Sequence, residues 1–219
     1  MSDRYRELQD CTGSVSRETF DAILAFEREF KRWSARINLA SATTLDDLWN
    51  RHIIDSAQVM RLAPDALRWL DLGSGGGFPG AIIALLARDR PGGHVDLVES
   101  NRKKAAFLQT TLGMLGAPAR VHAVRIEQAV DRVSTPEIVT ARALAPLPAL
   151  IELARPWLSA STKALFHKGR DYAREIAESR YHWRFDLIDH ISRVDPESRI
   201  LEISDVRPLV GGKPDIQAT

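Results

Sequence analysis

Eleven residues, "LDLGSGGGFPG" from Leu70 to Gly80, include five glycines. Glycine inside a regular element costs stability, because it loses the most backbone freedom on folding. This density therefore marks backbone that must turn sharply or come close to another molecule. An acid leads the glycines by two positions, in the pattern Asp71-x-Gly73-x-Gly75-x-Gly77. Gly75, Gly77 and Gly80 also satisfy G-x-G-x-x-G, the dinucleotide pattern, which is weak on its own. The longer pattern is the usual form in enzymes of S-adenosylmethionine, where the loop wraps the methionine end of the cofactor. Glu99 ends the next apolar run and is placed to accept hydrogen bonds from both hydroxyls of a ribose. Either cofactor class wants that acid.

A second set of residues is cationic. Arg102, Lys103 and Lys104 follow Asn101, a fitting N-cap, although cations in a first helical turn oppose the helix dipole at roughly 0.3–1 kcal/mol each. Arg51, His52, Arg125, Arg142 and Lys168 fall at or beyond predicted strand ends or in the N-terminal helices. Singly, each is an ordinary surface cation. Together they would ring a cofactor mouth with positive charge, as a phosphate-bearing substrate requires.

Elimination narrows the methyl acceptor. Methylating C5 of a pyrimidine needs a cysteine nucleophile, and the only cysteine is Cys11, in a polar N-terminal stretch. Methylating an exocyclic amine usually employs an Asn- or Asp-Pro-Pro-aromatic stretch after the fourth strand. This sequence has "ARALAPLP" (141–148) there. What remains is an acceptor that is already nucleophilic, so no general base and no catalytic residue is expected.

The elements that must position these groups follow from periodicity. Ile23, Phe26, Phe30, Trp33 and Ile37 step by three and four, which predicts a helix over 16–38. Arg28, Arg32 and Arg36 form a basic stripe on it, and Glu27 with Lys31 makes an i, i+4 pair. A second helix is predicted over 46–62. Short apolar strands follow at 68–73, 94–100, 119–124, 137–142 and 163–168, separated by helices at about 79–90, 101–116, 147–158 and 170–180. That rhythm is a parallel sheet with helices on both faces. "FDLIDHISRV" and "SRILEISDV" then meet at "DPE" with no helix between them, which predicts an antiparallel edge hairpin. The expected fold is Rossmann-like α/β, with a mostly parallel seven-stranded sheet of the class I methyltransferase form and additional N-terminal helices. Its expected divisions are an N-terminal helical segment (1–66), the methyltransferase domain (67–207) and a flexible tail (208–219). The glycine loop opens a helix beyond the first strand, where such sheets bind ligands.

Composition sets the outer limits. The chain has 219 residues, 44% hydrophobic and 27% charged, with net charge +1. That is ordinary for a globular protein, so any nucleic-acid surface has to be local. One cysteine excludes an internal disulfide framework and a multi-thiolate zinc site, and no metal is expected. "MSDRYRELQD" is too charged for a signal peptide and "AIIALLA" too short for a membrane span. A cytoplasmic protein is expected, with no membrane contact and no obligate protein partner evident.

Five blocks stand in one family's order and spacing: "NLASATTLDDLWNRHIIDS" (38–56), the glycine loop, "VESNRKKAAFL" (98–108), "TARALAPL" (140–147) and "HKG" (167–169). The chain resembles the bacterial small-subunit rRNA methyltransferase G family, also called glucose-inhibited division protein B, from about Ser16 to Val206. The resemblance implies methylation of N7 of a guanine in 16S rRNA, as naked RNA or in the small ribosomal subunit, with S-adenosylmethionine as methyl donor. It also implies cofactor-site roles for Gly73 and Phe78 near the methionine and ribose, for Ile126 and Glu127 near the adenine, and for Arg142. Lys103, Lys104, Lys168 and Arg199 would face RNA. His167 and Phe78 stand where the family often has leucine. Two other readings share features with this one. An NAD-dependent oxidoreductase would use the same loop and Glu99, but would more often bring a substrate domain for which little sequence remains. A cofactor-sensing RNA-binding module would need no catalysis.

Overall fold

The computed structural model describes residues 2–39 and 47–209. Helix α2 (Arg17–Ser34) starts where Ser16 accepts a hydrogen bond from the Thr19 amide at 3.0 Å. Asp89 accepts from the amide and hydroxyl of Ser16 and from the hydroxyl of Thr19, at 2.7–2.9 Å. These bonds tie the helix start to the sheet domain. The apolar face of α2 buries Ile23, Phe26 and Phe30, while Arg28 and Arg32 are exposed on its other side; Arg36 lies past the helix end, which falls short of the predicted 38. Glu27 is buried between Arg4, at 3.1 Å, and Lys31, at 2.6 Å.

An N-terminal helix, α1 (Asp3–Thr12), precedes α2. The sequence reading leaves this stretch as polar chain. Its apolar content is only Tyr5, Leu8 and Cys11, but their spacing of three puts all three on one buried stripe. Burial pushes the Cys11 thiol up to about 11, so it is an inert core group. The helix expected over 46–62 begins as a π-helical stretch, Trp49–Ile54, continued by short α-helical pieces at Asp55–Ala57 and Val59–Leu62. Residues 40–46, including the start of that predicted helix, and 210–219, most of the predicted tail, lie outside the described residues.

Seven strands form one sheet in the order β3-β2-β1-β4-β5-β7-β6. They are β1 (Arg68–Leu72), β2 (His94–Val98), β3 (Ala119–His122), β4 (Ile138–Arg142), β5 (Lys163–Lys168), β6 (Trp183–Ile191) and β7 (Arg199–Pro208). The first five are parallel, and β7 runs antiparallel to both β5 and β6, as the hairpin predicts. The chain leaves β1 toward β2 on one side and later resumes at β4 on the other, so the switch point lies between β1 and β4. Connecting helices are α3 (Gly80–Leu86), α4 (Arg102–Met114), α5 (Leu147–Ala154) and α6 (Tyr172–Ser179). Side chains alternate across each strand. Trp69 faces α3 and the N-terminal helices, while Leu70 and Leu72 face the layer of Leu147, Ile151 and Trp157. No described helix is long and apolar enough to cross a membrane.

Candidate functional site

The glycine loop leaves β1 at the switch point and enters α3. Gly73 (φ +64°), Gly75 (φ +56°) and Gly77 (φ +98°) all take the left-handed backbone that L side chains rarely adopt. The loop closes one side of a cavity of about 450 Å3, within the range of small-molecule sites. Gly73, Gly75, Phe78, Glu99, Ile126, Glu127 and Arg142 all line it, so seven of the nine expected cofactor residues come together. Phe30, Val98 and Leu144 add apolar wall.

Glu99 sits at the lip of β2, only 8% exposed. Its Oε2 accepts from the Gly75 amide at 2.7 Å and its Oε1 from the Asn101 amide at 2.6 Å. One carboxylate thus joins the glycine loop to the start of α4. Each oxygen keeps a lone pair for a ribose hydroxyl. Asn101 caps α4 through the amides of Lys103 and Lys104, at 3.0 and 3.2 Å.

Two expected cofactor residues lie elsewhere. Asp71 shares the face of Trp69, underneath the loop, and does not line the cavity. Its Oδ1 accepts from the Thr140 hydroxyl at 2.9 Å, while its Oδ2 is buried with no partner. Burial pushes its carboxyl up to about 6, against the pull of these hydrogen bonds. A Cβ on Gly80 would lie 2.5 Å from Oδ2, so the fifth glycine makes room for the acid. Gly77 is likewise internal: its Cβ would meet Ala81 and Leu108 at 2.8 Å and Phe26 at 3.1 Å. Asp71 and Gly77 are packing requirements of the loop.

On the open side Arg142, from the end of β4, is held on three sides. Its Nη1 donates to Asp55 Oδ2 and to the Arg51 carbonyl, each at 3.0 Å, and its Nη2 donates to His52 Nδ1. The guanidinium lies 5.5 Å from the centre of the Phe78 ring, which His52 also meets at 5.0 Å between centroids. Burial first, then Arg142, pushes His52 down to about 4, so its ring is a neutral acceptor. Asp55 is the residue that sequence reasoning misses. Its Oδ1 accepts from Gln58 at 2.7 Å and Ser192 at 3.2 Å, and its carbonyl accepts from His167 at 3.0 Å. The available signal was spacing: Asp55 follows Arg51 and His52 by four and three residues.

The expected RNA-facing residues separate into groups. Lys103 is exposed, and Lys104 lines the cofactor-sized cavity with His52. Arg51 is exposed on another cavity, of about 970 Å3, under α1. Lys168 is not on an open face. Its side chain is 9% exposed, with Nζ 2.5 Å from Glu175 and 3.0 Å from the Ala145 carbonyl. Arg199 is also tied down, donating to the carbonyls of Pro196 and Ser198 at 2.7 and 2.9 Å and lying over the Tyr172 ring at 4.7 Å. Position at a strand end predicts proximity to the site, not freedom of the charge.

The comparisons with known proteins agree with this geometry. The family model described as GidB, rRNA small subunit methyltransferase G, matches residues 20–198. "Ribosomal RNA small subunit methyltransferase G" of Chelativorans sp. (strain BNC1) is 59% identical over 95% of this chain and 100% of its own. The protein of the same name from Brucella canis is 58% identical over 93% and 96%. Among solved structures, the SAH-bound Podospora anserina methyltransferase PaMTH1 aligns with TM-score 0.60 at 11% identity, over 91% of this chain and 92% of its own. Cofactor-bound Rv0187 from MTB aligns with TM-score 0.55 at 15% identity, over 92% and 95%. These two likenesses show the class I methyltransferase fold. The chain belongs to the rRNA small subunit methyltransferase G family.

Proposed function

We propose that this protein transfers the methyl group of S-adenosylmethionine to N7 of a guanine in 16S rRNA, in the cytoplasm. One observation carries the cofactor half: a left-handed glycine loop and a buried carboxylate share a cavity of fitting size. Gly73 and Gly75 would bring backbone against the methionine end. Glu99 would hold the ribose, and Ile126 with Glu127 would flank the adenine. Bound there, S-adenosylmethionine supplies an electrophilic methyl group on a cationic sulfur.

Guanine N7 carries an in-plane lone pair, so the chain has no proton to remove. The cavity wall suits that chemistry. Glu99 is engaged by two amides and His52 Nδ1 by Arg142, which leaves neither as a free base. The residues supply alignment and a fixed electrostatic environment. Asp55 offsets the Arg142 charge, so a cationic ligand can sit beside a guanidinium. Lys103 and Lys104 at the start of α4, with Arg51, are the cations placed to meet RNA phosphate.

The test supplies purified protein with labelled S-adenosylmethionine and either naked 16S rRNA or small subunits from cells lacking the protein. Mass mapping should place the label in one N7-methylguanosine, and the two substrates rank naked RNA against the assembled particle. Label on another base or atom, or none in either substrate, overturns the reading.

A further inference from the structure

We propose that the acceptor guanine sits in a third cavity, of about 510 Å3, beyond the ends of β4 and β5 and under the 192–199 turn. This rests on the methyltransferase reading above. Methyl transfer requires the reacting atoms within about 3–3.5 Å, so the acceptor's seat must open on the cofactor cavity. Arg142 and Ala143 line both cavities. The larger cavity under α1 shares no lining residue with the cofactor cavity. At the junction Ala143 takes φ +52°, a left-handed conformation unusual for a residue with a side chain. Such strain concentrates where ligands are held.

Charge then separates base from phosphate. The wall of this third cavity carries five carboxylates (Asp55, Asp171, Glu175, Asp195, Glu197) and four cations (Arg142, Lys168, Arg170, Arg199). All four cations are already paired: Lys168 with Glu175 at 2.5 Å, Arg142 with Asp55 at 3.0 Å, Arg170 with Glu197 at 3.4 Å and Arg199 with Asp189 at 3.8 Å. Such a wall does not attract phosphate. It favours a base that becomes cationic when N7 is methylated, with the positive charge passing from sulfur to the purine. Two wall residues also hold polar atoms that are buried without a hydrogen bond, His167 Nδ1 and Arg199 Nε. Since His167 Nε2 donates to the Asp55 carbonyl, Nδ1 is an acceptor, and Arg199 Nε is a donor. The fold leaves the His167 acceptor unused beside this cavity, while Arg199 Nε has only the ion pair with Asp189 at 3.8 Å.

Gly169 gives the test. It lines the cavity, and a Cβ there meets nothing within 4 Å, so a larger side chain extends into open space. Gly169→Phe should lower kcat/KM for rRNA methylation at least about 100-fold, the cost of a misplaced acceptor. S-adenosylmethionine affinity should stay within about twofold, as for separate sites, and Gly169→Ala should behave as wild type. A Phe variant that methylates normally overturns the proposal, as does one that loses cofactor affinity in parallel. As a second measurement, 6-thioguanosine placed in the rRNA at the mapped position should photo-crosslink to wild-type residues 167–171 or 192–199. Crosslinking to residues 102–104 instead overturns the placement even if the Phe variant does not fold. A wild-type protein that labels no rRNA guanine overturns the parent reading, and this one with it.

Discussion

Asp71→Asn should change the pH dependence of stability in a direction fixed by the buried carboxyl. The native carboxyl sits at about 6 because burial raises it, against an ordinary value near 3.8. A raised group binds its proton more tightly when folded. Its contribution is therefore complete below pH 3.8 and is lost as pH rises through 6. Two-state linkage gives a loss of about 2 kcal/mol between about pH 4.5 and 7.5. His52 works in the opposite sense. Its folded value, about 4, is depressed, so stability is complete above pH 6.5 and is lost as pH falls, by about 2.5 kcal/mol over the same span. His167, also lowered by burial, adds to the His52 trend, so the difference between the two proteins is what isolates Asp71. Asparagine keeps the Thr140 hydrogen bond and cannot titrate, so it removes the Asp71 trend and leaves that of the histidines. Urea denaturation of both proteins at half-unit steps across that range is the assay. The difference, mutant minus wild type, should climb by about 2 kcal/mol in favour of the mutant. A constant difference would show that Asp71 is not ionised against a burial penalty, and the account of its unpaired Oδ2 would fail.

Three further outcomes follow from the site. Glu99→Gln turns one acceptor into a donor facing a backbone N–H, which should weaken S-adenosylmethionine binding by about 1–3 kcal/mol in isothermal titration; unchanged affinity would remove Glu99 from the site. Gly77→Ala puts a methyl 2.8 Å from Ala81 and Leu108 and should lower the melting temperature sharply, whereas Gly75→Ala meets nothing closer than 3.7 Å and should cost cofactor affinity more than stability; differential scanning calorimetry beside titration separates the two. Replacing Lys103 by alanine should flatten the log–log salt dependence of RNA binding by about 0.7–0.9, the share of one phosphate left without its cation, with cofactor affinity unchanged; an unaltered slope would place the RNA elsewhere.

The parallel strands, edge hairpin and ligand-binding end were legible because each rests on local periodicity and on turn residues that report the backbone directly. Glu99 was legible for the same reason: the end of the second strand is a position that topology alone defines. Asp71 and Gly77 show where this stops. The pattern marks them as part of the loop, but which face of the strand an acid occupies is decided by the register of β1 against β4. Lys168 was misjudged because its partner Glu175 lies on the next helix, and Asp55 was missed because its partner Arg142 is 87 positions away. Pairing between separate elements leaves no periodic trace.

The ring of Phe30, from α2, lines the cofactor cavity, and a Cβ on Gly76 would lie 2.7 Å from it. Phe30 and Phe26 also pack on Phe78 and Phe107. The helix near the amino terminus therefore serves as the floor on which the loop rests, and the two are thermodynamically linked. Any opening of α2 abolishes the cavity, so a bound ligand suppresses that opening by RT ln(1 + [L]/Kd), about 2.7 kcal/mol at a hundredfold excess over Kd. Amide exchange along α2 becomes a gauge of how full a pocket on the other side of its aromatic face is.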